Sequence, residues 1–265
     1  MTNRQHRRTS NTHESVLRTS EASFSHPSKG RKSTTVVLAA EESHWLDVLK
    51  FGGSTPSFDV IEKTKQYTSE PGYRAFNLAS MPTEYFSDEY VFRGPIIGPI
   101  NRKELVKTNS ELDLQVAFPD LDRDAFGFTV DPENPYRVMF FERWKATHTG
   151  TLNLAGAIKV EATGNKCISP VTPFSIVWTP EGTIIYEHLA TAVDRFEGNT
   201  RGMVAVFGLT ETAGISIGNT VGDPILIAQL KFNRFMNGPA QAYSKKEDLP
   251  SWWKSEAVGA ERNDF

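Results

Sequence analysis

The 265-residue chain has a single cysteine, Cys167, and no long apolar run. One thiol excludes an intrachain disulfide and a zinc site built on cysteines. The longest apolar candidates, Val36 to Ala40 and Pro224 to Leu230, fall well short of the roughly twenty residues that cross a bilayer. An excess of charge of one sign is also missing. With 29 basic and 32 acidic side chains and a net charge of -3, the chain presents no broad basic field, so no nucleic-acid partner is expected. Familiar catalytic signatures are absent too. The glycines of Gly94-Pro95-Ile96-Ile97-Gly98 do not follow phosphate-loop spacing, Gly208 to Gly218 lacks the lysine of one, and no Gly-x-Ser-x-Gly elbow occurs. His44, His148 and His188 have no metal-ligand spacing among them, so they do not read as a metal site.

What is present suffices for one sizeable core: 38% of the residues are hydrophobic and 23% charged. Residues 1–40, rich in Ser, Thr, Arg and His, read as a disordered or targeting tail. Their composition resembles an organelle transit segment, interrupted by Glu14 and Glu21, or a plain flexible extension. Residues 41–55 read as a docking segment whose short helix, closed by Gly52-Gly53, lays Trp45, Leu46 and Leu49 on the body. A domain over 56–210 follows, then a helical extension and tail over 211–265. The whole reads as a soluble chain, cytoplasmic or organellar.

Within the domain, Asp59 can cap a helix carrying Val60, Ile61 and Thr64, and Asn101 one carrying Leu105 and Val106. A second helical stretch covers Tyr73 to Met81. Alternation predicts strands at Asp88 to Arg93, at Leu114 to Phe118, through Phe126, Phe128 and Val130, and from Arg137 to Gly150. Phe174 to Trp178 and the run from Thr183 form a hairpin around Thr179-Pro180-Glu181-Gly182. Helices are expected over Asn199 to Leu209 and from the cap Asp223-Pro224 to Gly238. Helices first and antiparallel strands after them imply an α+β domain.

The long strand carries the first candidate. Read by twos, Val138, Phe140, Trp144, Ala146 and His148 share one side, with Glu142 the lone charged member. His148 is then either a hydrogen-bonded core histidine or a pocket histidine. A second alternating run, Gly182 to Asp194, sets Ile184, Tyr186, His188 and Asp194 on one face and Ile185, Glu187 and Leu189 on the other. Asp194 is a solvated turn residue on one reading. On the other it is a desolvated carboxylate of raised pKa, usable as a general base.

Arg143-Trp144-Lys145-Ala146-Thr147-His148-Thr149-Gly150, the connection Ala162-Thr163-Gly164-Asn165-Lys166, the Phe174 to Trp178 strand, the Glu181-Gly182-Thr183-Ile184-Ile185 turn, Glu187 and Asp194 together resemble the SnoaL-like polyketide-cyclase group of the nuclear-transport-factor-2-like superfamily. The resemblance implies a cone-shaped, strongly curved mixed sheet, mostly antiparallel, wrapped around about three helices and leaving an apolar pocket. It implies that Asp194 serves as acid/base in an intramolecular aldol closure with His148 beside it, and that no metal or cofactor takes part. The stretch from Glu187 to Asp194 is one residue longer than is usual in the group, which calls for a bulge and would put His188 in the place of His148. Phe126, Phe128, Phe140, Trp144, Trp178, Tyr186 and His188 are the expected pocket lining. Arg93, Arg137 and Arg143 are candidates for an anion clamp. The expected function is a cofactor-free acid/base enzyme, a cyclase, isomerase or dehydratase, acting as a homodimer on a small hydrophobic carbonyl compound. The alternatives are a binding protein for a pigment, lipid or terpenoid, and a non-catalytic dimerisation module.

Overall fold

A computed structural model of the chain describes residues 44–156, 158–216 and 221–262. The tail expected over 1–40 lies outside the described residues. Six helices and nine strands follow one another as α1 (Val60–Ser69), α2 (Pro71–Arg74), β1 (Phe86–Arg93), β2 (Ile100–Asn101), α3 (Arg102–Leu112), α4 (Leu114–Ala117), β3 (Asp122–Asp131), β4 (Asn134–Thr147), β5 (Leu152–Leu154), β6 (Ile158–Val160), β7 (Lys166–Ile168), β8 (Thr172–Trp178), β9 (Ile184–Leu189), α5 (Ala205–Thr212) and α6 (Pro224–Phe235). The architecture is α+β, as expected, with a mostly antiparallel sheet and six α-helices among the described residues. None of the described helices is long and apolar enough to cross a membrane.

One sheet runs β2-β1-β9-β8-β4-β3, with β7 added to β4. Every pairing is antiparallel except β1 with β9. The long strand behaves as its alternation predicts: Val138, Phe140, Glu142, Trp144, Ala146 and His148 are all buried, while Met139, Phe141 and Lys145 are exposed. Side-chain caps start three of the helices. Asp59 Oδ1 accepts the Glu62 N–H at 3.0 Å, Asn101 Oδ1 that of Glu104 at 2.9 Å, and Asp223 Oδ1 that of Ile225 at 2.8 Å, each cap contributing about 1 kcal/mol.

Several expectations change. Leu114 to Phe118 is helical, not a strand. Asp113 ends α3 in the left-handed region (φ 46), Phe118 N–H bonds back to Leu114 O at 2.8 Å, and burial follows the helical spacing of Leu114 with Ala117 and Phe118 while Val116 is 53% exposed. The stretch from Tyr73 to Met81 splits into α2 and a single turn at Leu78–Ser80, because Phe76 between them is also left-handed (φ 51). Strand β9 ends at Leu189, five residues before Asp194.

The other side of the sheet is partly covered by the two ends of the described chain. A 3-10 segment, Trp45–Gly53, buries Leu49, and the Trp45 ring meets that of Trp253 edge-on at 4.9 Å. Trp252 packs edge-on against Tyr186 at 6.0 Å.

Candidate functional site

Two bulges decide which side chains face the helices. Between β8 and β9 the register runs Trp178 with Ile184, then Val177 with Tyr186, so Ile185 is the extra residue. Ile184 therefore shares the inner face with Glu187 and Leu189, opposite Trp178, Ile176 and Phe174, whereas Tyr186 and His188 turn outward. In β3 an extra residue lies between the pairs Phe126 with Phe141 and Thr129 with Met139, at Gly127 with φ 72. Phe126 consequently points outward beside Phe141 and is 39% exposed, while Phe128 turns inward to stack on Phe140 at 5.2 Å.

The inner face borders a cavity of about 330 Å³ whose wall is overwhelmingly apolar. Phe76, Leu78, Phe92, Leu105, Trp144 and Phe174 line it, together with Val204 to Phe207 and the segment Ala240 to Ala242. Two charged side chains, Arg123 and Glu187, also reach it.

Glu187 is 5% exposed. Its Oε1 accepts the hydroxyl of Tyr67 at 2.7 Å, and its Oε2 accepts that of Tyr90. Burial pushes the carboxyl above its ordinary range, and the two phenol donors oppose that push without cancelling it. Tyr67 and Tyr90 are themselves held far above the usual phenol value, first by burial and then by the Glu187 charge, so they remain donors. Arg123 is stacked 3.8 Å from the Tyr73 ring centroid and bonded to Glu142. Glu142 in turn accepts the Trp144 Nε1–H at 2.9 Å and the Tyr73 hydroxyl. The carboxylate at the cavity wall is thus held by phenols, and the arginine that reaches the wall is paired with a second buried carboxylate, Glu142.

Of the residues singled out in the sequence, Trp144 lines the cavity. Phe128 and Phe140 pack in the core beside it, and Trp178 is buried there, donating its indole N–H to Thr64 Oγ1 at 2.9 Å. Asp194 requires correction. The chain has left the sheet before reaching it, its side chain is exposed, and Oδ1 caps a local turn by accepting the Phe196 N–H at 2.9 Å. His148 is fully buried but away from the cavity wall. Its ring stacks on Phe118 at 5.0 Å and Nδ1 takes the Thr163 backbone N–H at 3.3 Å, fixing the loop that follows β6. Burial lowers its pKa. His188, Tyr186 and Phe126 lie on the outer side, so they leave the expected lining. Arg143 meets Glu197 at 3.4 Å, Arg137 meets Asp131 at 3.3 Å, and Arg93 Nη1 bonds the carbonyls of Gly98 and Gly259, so the three arginines do not join into an anion clamp. Among the described residues, no three His, Cys, Asp or Glu side chains gather where they could hold a metal ion.

Glu187, Arg123, Tyr67 and Tyr90 were not read as a site from the sequence. Glu142 stands out in the sequence as a charge on an otherwise apolar strand face, Glu187 belongs to the resembling stretch without a role assigned to it, and Arg123 lies on the neighbouring strand directly opposite Trp144. Tyr67 and Tyr90 stand 120 and 97 residues from Glu187, with no local pattern linking them.

No protein-family model and no curated protein matches the chain. Among solved structures it is similar to a protein designated a polyketide cyclase from Acidithiobacillus ferrooxidans, at 20% identity over 51% of this chain and 89% of that one, with a TM-score of 0.37. A protein designated a SnoaL-like polyketide cyclase from Jannaschia sp. CCS1 is similar at 14% identity over 49% and 83%, with a TM-score of 0.34. A phenazine biosynthesis-related protein from Pseudomonas aeruginosa is similar at 12% identity over 62% and 90%, with a TM-score of 0.36. Two proteins designated polyketide cyclases, one of them SnoaL-like, thus stand among the solved structures to which this chain is similar.

Proposed function

We propose that the chain binds a small apolar molecule bearing a carbonyl group and moves a proton on it, with Glu187 as the acid/base residue. The observation that carries this reading is a desolvated carboxyl group at the wall of an apolar cavity. A carboxylate of raised pKa is a stronger base than one in water, and a dry wall holds a flexible carbonyl compound against it. Tyr67 and Tyr90 orient the carboxylate and leave its remaining lone pairs for the substrate. Arg123, tied to Glu142, adds a fixed positive charge at the same wall, where negative charge developing on an enolate oxygen would be favoured. Cyclisation, isomerisation and dehydration of carbonyl compounds all begin with such a proton transfer.

The test needs no knowledge of the natural substrate. The α-protons of 2-tetralone, a bicyclic ketone of cavity size, are followed by NMR in D₂O with the full chain. The wild-type protein is expected to accelerate their exchange. Glu187→Gln should still bind the ketone but lose the acceleration by roughly 10²-fold or more, while Asp194→Asn keeps it. Equal exchange with wild-type and Glu187→Gln proteins would remove Glu187 from the reaction.

A further inference from the structure

We infer that the molecule held in this cavity carries a hydroxyl group, which it donates to the side-chain carbonyl of Gln241. The inference rests on the small-molecule reading of the cavity and narrows it to an apolar alcohol or phenol.

Gln241 comes from the segment after α6, lines the cavity, and is 6% exposed. Its backbone is clamped to α3 on both sides: its N–H donates to Thr108 Oγ1 at 2.9 Å, and its carbonyl accepts from the same hydroxyl at 3.0 Å. Its side-chain Nε2 donates to Gly238 O at 2.5 Å. That bond fixes the orientation of the amide, since exchanging its oxygen and nitrogen would set two acceptors against each other. Gln241 Oε1 is left buried without a partner, and it is the one such side-chain atom among the described residues lining the cavity.

Polar neighbours in the wall bond elsewhere, Asn233 Nδ2 donating to Ala240 O at 2.6 Å. Asn109 accepts from Leu78 N–H at 3.0 Å and donates to Phe76 O at 2.9 Å, and Thr210 Oγ1 donates to Phe207 O at 2.9 Å. None of these bonds reaches Gln241 Oε1, and a buried acceptor with no donor is costly. A ligand hydroxyl supplies the missing donor. A primary amine would arrive charged at neutral pH, and a neutral amide oxygen would not offset the loss of its hydration. The walls around the amide, Leu230 and Ala240 to Ala242, suit a hydrocarbon skeleton behind that hydroxyl.

The test is calorimetric titration of the full chain with 2-naphthol and with 2-methoxynaphthalene, which share a ring system and differ in the donor. Wild-type protein should bind 2-naphthol about tenfold more tightly. Gln241→Met, similar in length but with no oxygen, should weaken 2-naphthol by about the same factor and leave 2-methoxynaphthalene unchanged. Retained binding of 2-methoxynaphthalene by Gln241→Met guards against a folding defect, since a collapsed cavity would lose both compounds. Equal wild-type affinities, or a preference that survives in Gln241→Met, would overturn the hydroxyl assignment while leaving the cavity a small-molecule site. Failure of both compounds to bind wild-type protein would overturn the reading of the cavity itself.

Discussion

Arg123 is committed to Glu142: its Nη2 lies 2.8 Å from Oε1 and its Nε 3.4 Å from Oε2, with both side chains almost entirely out of solvent. Glu187, on the same cavity side of the sheet, is bonded to two phenols instead. The arginine thus leaves Glu187 without a direct counter-ion. That division leaves one carboxylate in an ion pair and the other held by phenol donors alone.

Breaking the Arg123–Glu142 pair from one side leaves an uncompensated buried charge. Arg123→Met or Glu142→Gln should each lower unfolding free energy by about 3–5 kcal/mol in urea titrations. The double variant should cost clearly less than the sum of the two. Strict additivity would mean that the pair does not act as a unit.

The histidines and Glu187 respond to pH with opposite signs. Burial, with Arg93 and Arg137 nearby, lowers His188 from 6.5 to about 4. The unfolded chain therefore binds a proton near pH 6.5 that the folded one refuses, and stability falls as pH drops from about 6.5 toward 4. The full window is worth about 3 kcal/mol. His148, also lowered by burial, adds in the same direction. Glu187 is raised, so its share is present below the ordinary value of 4.5 and is lost as pH rises through its folded value. Thermal unfolding midpoints measured from pH 7.5 to 4 should decline more gently in His188→Asn than in wild type.

Gly150 marks a close approach of backbones. A Cβ there would stand 2.0 Å from Val116 O, and the N–H groups of Thr149 and Gly150 both donate to Ala117 O at 3.1 Å. Gly150→Ala should push α4 off the end of β4 and cost at least about 1–3 kcal/mol. Urea unfolding of the variant beside wild type measures it, and an unchanged midpoint would show that the chain relaxes there freely.

Trp252 is 8% exposed and sits between Trp45 and Tyr186. Trp252→Ala should cost about 3–5 kcal/mol and speed tryptic cleavage at the exposed Lys254. Unaltered cleavage would show that the tail is held by other contacts.

Much of this fold was legible because period-two burial over Arg137 to Gly150 and capping residues at Asp59, Asn101 and Asp223 act within a few residues. The candidate site was less so. A bulge inverts every side chain beyond it, and nothing in Ile184-Ile185-Tyr186 says which isoleucine is the extra one; the partner strand settles it. That inversion exchanged the expected Tyr186 and His188 for Glu187. The alternation Leu114-Val116-Phe118 misled for a different reason. Helical and strand spacing coincide over so few residues, and Asp113 selects between them through a left-handed backbone that its identity only permits. Asp194 reads as a strand terminus because alternation continues past Leu189, where the regular ladder with β8 gives way to isolated backbone bonds from Ala190 to Pro173 and from Val193 to Val171.

The indole rings of Trp45, Trp252 and Trp253 tie the opening of the described chain to its close. The same C-terminal stretch, a few residues earlier, supplies Ala240 to Ala242 to the cavity wall. One stretch of chain thus serves both sides of the sheet, closing an aromatic seam on one and completing an apolar wall on the other.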